Sequence, residues 1–272
     1  MKTLHGFIIL YDAVCPLCRV YTNAFVHSGM LEKQGRAAYQ EMPAQCEPYV
    51  DRQRAVNEIA LVNSATGEVY YGIESLLKIL GNAWPVFRPL FSSRWFVGVM
   101  KILYGFISYN RRIFLPVAIG AEKATLMPAF HKGYRASWLV FSWLLISVIL
   151  HWYGAELSPL VPRGTWFREL LVCGGQLLFQ GAIVAIVAPR KAWDYLGNMM
   201  VVSFLGAIAL LFIGLILKAA QANAFWYTGA FLLTAAAMLM EHARRCSLLE
   251  MGVGYSISWI MYRLLLAVFI IN

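Results

Sequence analysis

Five runs with almost no charge, at 136–153, 170–188, 199–217, 222–240 and 253–271, do most to narrow what this chain can fold into. Each approaches the roughly 20 residues that an α-helix needs to cross the hydrocarbon core of a bilayer. Lipid offers backbone amides no hydrogen-bond partner, so such runs must close their hydrogen bonds internally as helices. The sequence therefore predicts an all-α transmembrane helical bundle of about five spans over 136–272. Composition agrees: 60% of residues are hydrophobic, 14% are charged and the mean hydropathy is +0.61, against about 45–50% apolar and about 25% charged in soluble domains.

The charges are unevenly placed. Residues 1–135 carry 15 Lys+Arg and 9 Asp+Glu, whereas 136–272 carry 8 and 5, which divides the chain into a soluble domain at 1–115, a basic linker at 116–135 and a transmembrane domain at 136–272. The net charge of +9 suits a lipid surface, and no nucleic-acid partner is expected. Arg111, Arg112, Lys123, Lys132 and Arg135 precede the first span, Arg190 and Lys191 follow the second, and Arg244 and Arg245 follow the fourth. This bias places the N-terminal domain in the cytoplasm and the C-terminus outside, in an inner or cytoplasmic membrane. The apolar run 6–10 ends at Asp12, too early for a signal peptide. The mixed segment 84–115 fits either interfacial helices or helices that complete the soluble domain, because Phe96, Met100, Leu103 and Ile107 keep helical spacing.

In the soluble half, 6–11 is β-branched and aromatic and leads through Cys15-Pro16-Leu17-Cys18 into a helical stretch over about 19–34. A short strand at 37–40, a helix at 47–56, a strand at 58–63, a turn at 64–67, a strand at 68–72 and a helix at 73–80 follow. The order βαβαββα is that of an α/β thioredoxin-like fold. Three residues apart on a first helical turn, Cys15 and Cys18 can approach each other, and the helix N-terminus favours a thiolate. Cys15 is then the nucleophile and Cys18 the resolving thiol, with Pro16 suited to the first helical position. Asp12 either accepts a proton during exchange or caps the helix, and spacing does not choose between them. Three other uses of the pair compete. A structural zinc site would need ligands from Cys46, His5, His27 or His131, without a second Cys-x-x-Cys; a structural disulfide suits a reducing cytoplasm poorly; two unreactive core cysteines remain open. No metal is expected.

The stretch Tyr11-Asp12-Ala13-Val14-Cys15-Pro16-Leu17-Cys18 resembles the signature of the DCC family of predicted thiol-disulfide oxidoreductases, named for Asp-x-x-Cys-x-x-Cys. The likeness continues through Tyr70-Tyr71-Gly72-Ile73-Glu74 and from Tyr104 to Tyr109-Asn110-Arg111-Arg112, covering about residues 6–115. The membrane half looks like the helical extension that some members carry. The resemblance implies a thioredoxin-like fold and disulfide chemistry, with Asp12, Cys15 and Cys18 as the matching residues. Unlike thioredoxins, which have a cis-proline before the third strand, this chain has Asn57-Glu58 before Ile59.

Polar residues within spans are costly and are candidates for function. Arg263 falls near the middle of the fifth span and Gln180 near the middle of the second, with Gln176, Cys173 and His151 toward the outer side. Arg263 either lies between helices as a structural residue hydrogen-bonded there, with Glu241, Glu169 or the Gln amides as partners within reach, or binds an anionic or quinone-like ligand. Only Cys173 and Cys246 lie after residue 46, which disfavours a thiol relay through the spans. No phosphate loop, serine elbow, zinc-protease helix or dinucleotide fingerprint is present. These features together predict a membrane-anchored thiol-disulfide oxidoreductase of the protein-disulfide reductase type. It needs no cofactor beyond its Cys15–Cys18 pair, and its partners are membrane lipid and a disulfide-bearing protein or small thiol. The alternative is a non-catalytic membrane scaffold or binding module, with a lipid or quinone site among the spans.

Overall fold

A computed structural model describes residues 2–116, 129–158 and 160–271. The chain forms two units, Met1–Tyr134 and Arg135–Asn272. The expected basic linker at 116–135 falls largely on residues 117–128, outside the described residues.

The first unit is built on a small mixed sheet. Strands β1 (Phe7–Tyr11), β2 (Arg36–Ala38), β3 (Ala60–Asn63) and β4 (Val69–Tyr71) lie in the order β2-β1-β3-β4, with β1 parallel to β2 and antiparallel to β3, and β3 antiparallel to β4. Helix α1 (Pro16–His27) follows β1, α2 (Arg52–Asn57) precedes β3, and α3 (Ile73–Ala83) follows β4. Side chains alternate across a strand. Accordingly Phe7 and Ile9 of β1 enter one core cluster with Leu31, Leu61 and Ile79, while Leu10 enters another with Tyr39, Val56 and Val62.

Element ends differ from the sequence expectation for local reasons. Helix α1 stops at His27 because Gly29 takes φ +74° and the Met30 N–H turns back to the Phe25 carbonyl, a left-handed close that glycine makes at low cost. Helix α2 starts at Arg52, not near 47, because the Asp51 carboxylate caps it by accepting from the Arg54 N–H at 3.1 Å.

Segment 84–115 becomes α4 (Arg88–Phe91) and α5 (Arg94–Phe114), part of a helix pair bent by 84°. The C-terminal half of α5 completes the first unit: Ser108 donates to the Asn57 carbonyl at 2.8 Å, and the Tyr104 hydroxyl accepts from the Ile59 N–H at 3.1 Å. Its N-terminal half leaves Trp95 and Ile102 exposed, at 76% and 65%, while Lys101 pairs with Glu74 of α3 and Phe96 packs on Phe91 of α4.

The second unit is helical: α6 (Lys132–Glu156, whose first residues belong to the first unit), α7 (Trp166–Val187), α8 (Ala192–Ala219), α9 (Ala224–Leu248) and α10 (Gly254–Ile271). Helices α6, α7 and α9, and α8 together with the turn at 189–191, are long and apolar enough to cross a membrane. The fifth expected span is α10, whose apolar stretch over Gly254–Val268 is shorter. Leu178, Ile186, Ile216 and Leu233 are among many large apolar side chains left exposed, an arrangement suited to lipid and not to water. Helices come close where glycine leaves room: a Cβ on Gly206 would run into Met238, and one on Gly175 into Tyr262.

Candidate functional site

The turn between β1 and α1 brings the three sequence candidates together. Cys15 is the N-cap of α1, in extended conformation, with Pro16 at the first helical position. The Cys15 sulfur accepts from the Cys18 N–H at 3.4 Å, taking a donor that the first turn leaves unused. Cys15 and Cys18 are free thiols, both buried. Asp12, 4% exposed, accepts at Oδ1 from the Val14 N–H at 3.1 Å and from Gln40 Nε2 at 2.9 Å. Its carboxylate therefore holds the turn that presents Cys15, and it is one turn short of the cap position itself. Gln40 ties the same turn a second time by accepting from the Ala13 N–H at 3.2 Å.

The remaining oxygen of Asp12 faces a residue that sequence reasoning did not single out for chemistry. Arg111, 4% exposed, donates from Nη2 to Asp12 Oδ2 at 3.1 Å and to the Val56 carbonyl at 3.0 Å, and from Nη1 to the Cys18 sulfur at 3.9 Å. Tyr104, Ser108 and Arg111 stand at i, i+4 and i+7 on α5, hence on one face. All three grip the segment 56–59 that leads into β3. The described residues of this chain contain no cis peptide bond. Three polar residues at this spacing in an otherwise apolar amphipathic segment are the signal from which the face was legible.

These neighbours split the two thiols. The Cys15 thiol is drawn down to about 6, first by the hydrogen bond from the Cys18 thiol, then by the Cys18 N–H and the Arg111 charge, against the opposing effects of burial and Asp12. The Cys18 thiol is pushed well up, first because it serves as donor to Cys15 and then by burial. The two shifts run in opposite directions, which favours the thiolate at Cys15 and the thiol at Cys18.

Gly72 supports the site from below. It takes φ +59° and ψ −130°, and its N–H donates to the Ile59 carbonyl at 2.8 Å. A Cβ there would lie 2.8 Å from Glu58 Oε2 and 3.2 Å from the Tyr104 ring.

The residues that a zinc site would have used do not gather. His5 pairs with Glu32, Cys46 is enclosed in the cluster around Leu10, and no group of three or more His, Cys, Asp or Glu comes together among the described residues.

In the second unit Arg263, Gln180 and Gln176 converge around Trp259 of α10. Gln180 accepts from the Tyr195 hydroxyl at 2.7 Å and donates to Ser258 at 3.2 Å, and Gln176 donates to the Trp259 carbonyl at 3.5 Å. Among the described residues Arg263 takes none of the acidic or amide partners that the sequence offered, and its contacts fit the structural alternative of an Arg hydrogen-bonded between helices. Glu241 is held by Arg244 and Arg245 and Glu169 by Arg168, so Arg263 lies over the Trp259 ring at 4.2 Å and donates to Ser203 at 3.5 Å. The His242 ring stacks on that of Trp259 with centroids 5.0 Å apart, and its Nδ1 is 2.9 Å from the Ser256 hydroxyl. Four buried polar atoms here, Gln176 Oε1, Tyr255 OH, Trp259 Nε1 and Arg263 Nε, have no hydrogen-bond partner in the described structure.

Comparison with models of protein families, with curated proteins and with solved structures returns no match. The chemistry of both clusters accordingly rests on their own geometry.

Proposed function

We propose that the protein is a membrane-anchored thiol-disulfide oxidoreductase that works through Cys15 and Cys18. The observation that carries this reading is the unequal pair: a sulfur at a helix N-terminus drawn down to about 6, beside a thiol pushed up and a buried guanidinium. Such an arrangement makes Cys15 the attacking thiolate on a disulfide. A mixed disulfide forms, and Cys18 then displaces the substrate sulfur. The strand order β2-β1-β3-β4 with the motif at the start of the helix after β1 supports a thioredoxin-like assignment, and the resemblance to the DCC family points the same way. The apolar helices serve as the anchor, with the first unit on the cytoplasmic side by the distribution of Lys and Arg.

Insulin reduction by the full-length protein in detergent tests this. Activity should vanish in Cys15→Ser, and Cys18→Ser should accumulate a mixed disulfide through Cys15. Activity that survives replacement of both cysteines would refute the assignment.

A second reading, a lipid-like or quinone-like ligand held among the spans, is favoured by the four unpartnered polar atoms around Trp259, since buried polar groups ordinarily find a partner. Arg263→Leu should then abolish retention of a small molecule seen by native mass spectrometry of the purified protein. Absence of any ligand-bound species in the unaltered protein, or equal ligand retention by both proteins, would contradict it.

A further inference from the structure

Pro16, Arg19, Val20 and Asn23 recur at i, i+3, i+4 and i+7, so they form one stripe of α1. With Tyr11 from β1 and Arg36 from β2, this stripe lines a cleft of about 460 Å³, within the roughly 300–1,000 Å³ of small-molecule sites. The cleft begins at Pro16, the residue after Cys15. An occupant therefore lies along the stripe that leads away from the attacking sulfur.

The lining has a definite chemical character. Arg36 lies 4.4 Å from the centre of the Tyr11 ring and donates from Nη1 to Asn23 at 3.0 Å, which fixes its guanidinium, and its buried Nε has no partner among the described residues. Arg19 is exposed one turn beyond Cys15. Among the described residues neither arginine has a carboxylate partner, whereas Arg52, Arg54 and Arg111 of the same unit each have one. Val20, 68% exposed, adds an apolar side chain to the same lining. A pair of unneutralised guanidiniums matches carboxylates in both charge and fork geometry.

Resting on the oxidoreductase reading above, we propose that this cleft seats a low-molecular-weight disulfide that carries carboxylates, held by Arg19 and Arg36 with one sulfur presented to Cys15. The Cys15 thiolate forms a bond to that sulfur while the substrate S–S bond breaks, and the first thiolate leaves and takes a proton from water. Cys18 then gives up its proton, bonds to the Cys15 sulfur and expels the second thiolate, which is protonated in turn. The two electrons of the dithiol reduce the disulfide to two thiols, and the protein ends with a Cys15–Cys18 disulfide.

The test uses full-length, pre-reduced protein in detergent and two small disulfides of opposite charge, glutathione disulfide and cystamine. Single-turnover oxidation of Cys15–Cys18 is followed by alkylation and mass readout, so no reductant is needed. The ratio of rate constants, glutathione disulfide over cystamine, should fall about tenfold in Arg19→Gln and again in Arg36→Gln, fall further in Arg19→Glu, and shrink toward its variant value in high salt. Arg52→Gln, a charge change elsewhere on the unit, should leave the ratio unchanged. Since Arg36 packs on Tyr11, the exposed Arg19 variants decide the matter if Arg36→Gln does not fold. A ratio indifferent to Arg19 overturns the cleft assignment while leaving the dithiol chemistry standing; failure of both disulfides to oxidise the pair defeats the oxidoreductase reading itself.

Discussion

Arg111 Nη2 stands 3.1 Å from Asp12 Oδ2, across 99 residues of chain, with both side chains at least 95% buried. The pair neutralises itself, so ionising Cys15 adds one negative charge to a site that already contains a fixed cation. Because Arg111 also reaches the Cys18 sulfur, the last turn of α5 belongs electrostatically to the motif that follows β1.

The two members of that ion pair should move the Cys15 thiol in opposite directions. Arg111 holds it down and Asp12 pushes it up. The pH profile of Cys15 alkylation by iodoacetamide should have its midpoint near 6 in the unaltered protein, above that in Arg111→Gln and below it in Asp12→Asn. Arg111→Lys should restore part of the shift. Coincident midpoints for all four proteins would remove Arg111 from the account.

Breaking the buried pair should also cost stability. Arg111→Met or Asp12→Ala alone leaves an uncompensated buried charge, a loss of about 3–5 kcal/mol. The double variant should lose less than the sum of the singles. Chemical denaturation of the protein in detergent, read as a double-mutant cycle, measures the difference.

Reduced protein should respond to pH in two phases. Between about 6 and the ordinary thiol value of 9.0, folded Cys15 is ionised while unfolded Cys15 is protonated. Stability therefore rises with pH across this window, and the gain is lost as pH falls through 6. Above 9.0 Cys18 stays protonated only when folded, so stability falls again. The oxidised protein has neither of these thiols, so it should lack the rise between 6 and 9.0 and show a shallower fall above 9.0, to which Cys46, raised by burial, still contributes; thermal melts of both forms across pH 5–10 would reveal the difference.

Gly72→Ala should destabilise the first unit by about 1–3 kcal/mol, because a side chain in that backbone conformation is strained and its Cβ meets Glu58 and Tyr104. A shift in the melting temperature of the first unit, with the α6–α9 helical signal unchanged, is the expected result.

How much of this was legible in the sequence differs between elements. The four long apolar helices, the order of strands and helices before residue 84 and the closeness of Asp12, Cys15 and Cys18 all follow from local pattern. Arg111 was not visible as a partner of the motif, because nothing local links a residue on α5 to a turn 99 positions earlier. The i, i+4, i+7 recurrence of Tyr104, Ser108 and Arg111 was there to be read, yet it was overshadowed by the apolar spacing of Phe96, Met100, Leu103 and Ile107 on the same helix. Arg36 was hidden for a similar reason. Its role depends on β2 lying parallel beside β1, which sets it over Tyr11.

The most direct test of the central claim is the reduction potential of the Cys15–Cys18 couple in purified full-length protein, titrated in redox buffers between pH 5 and 8. A two-electron couple that releases two protons below the Cys15 value and one above it should change slope near pH 6, from about 59 to about 30 mV per pH unit. A reversible couple with that break is the result predicted here. Two thiols that never form a mutual disulfide, or a couple with a single slope of about 59 mV per pH unit throughout, would contradict it.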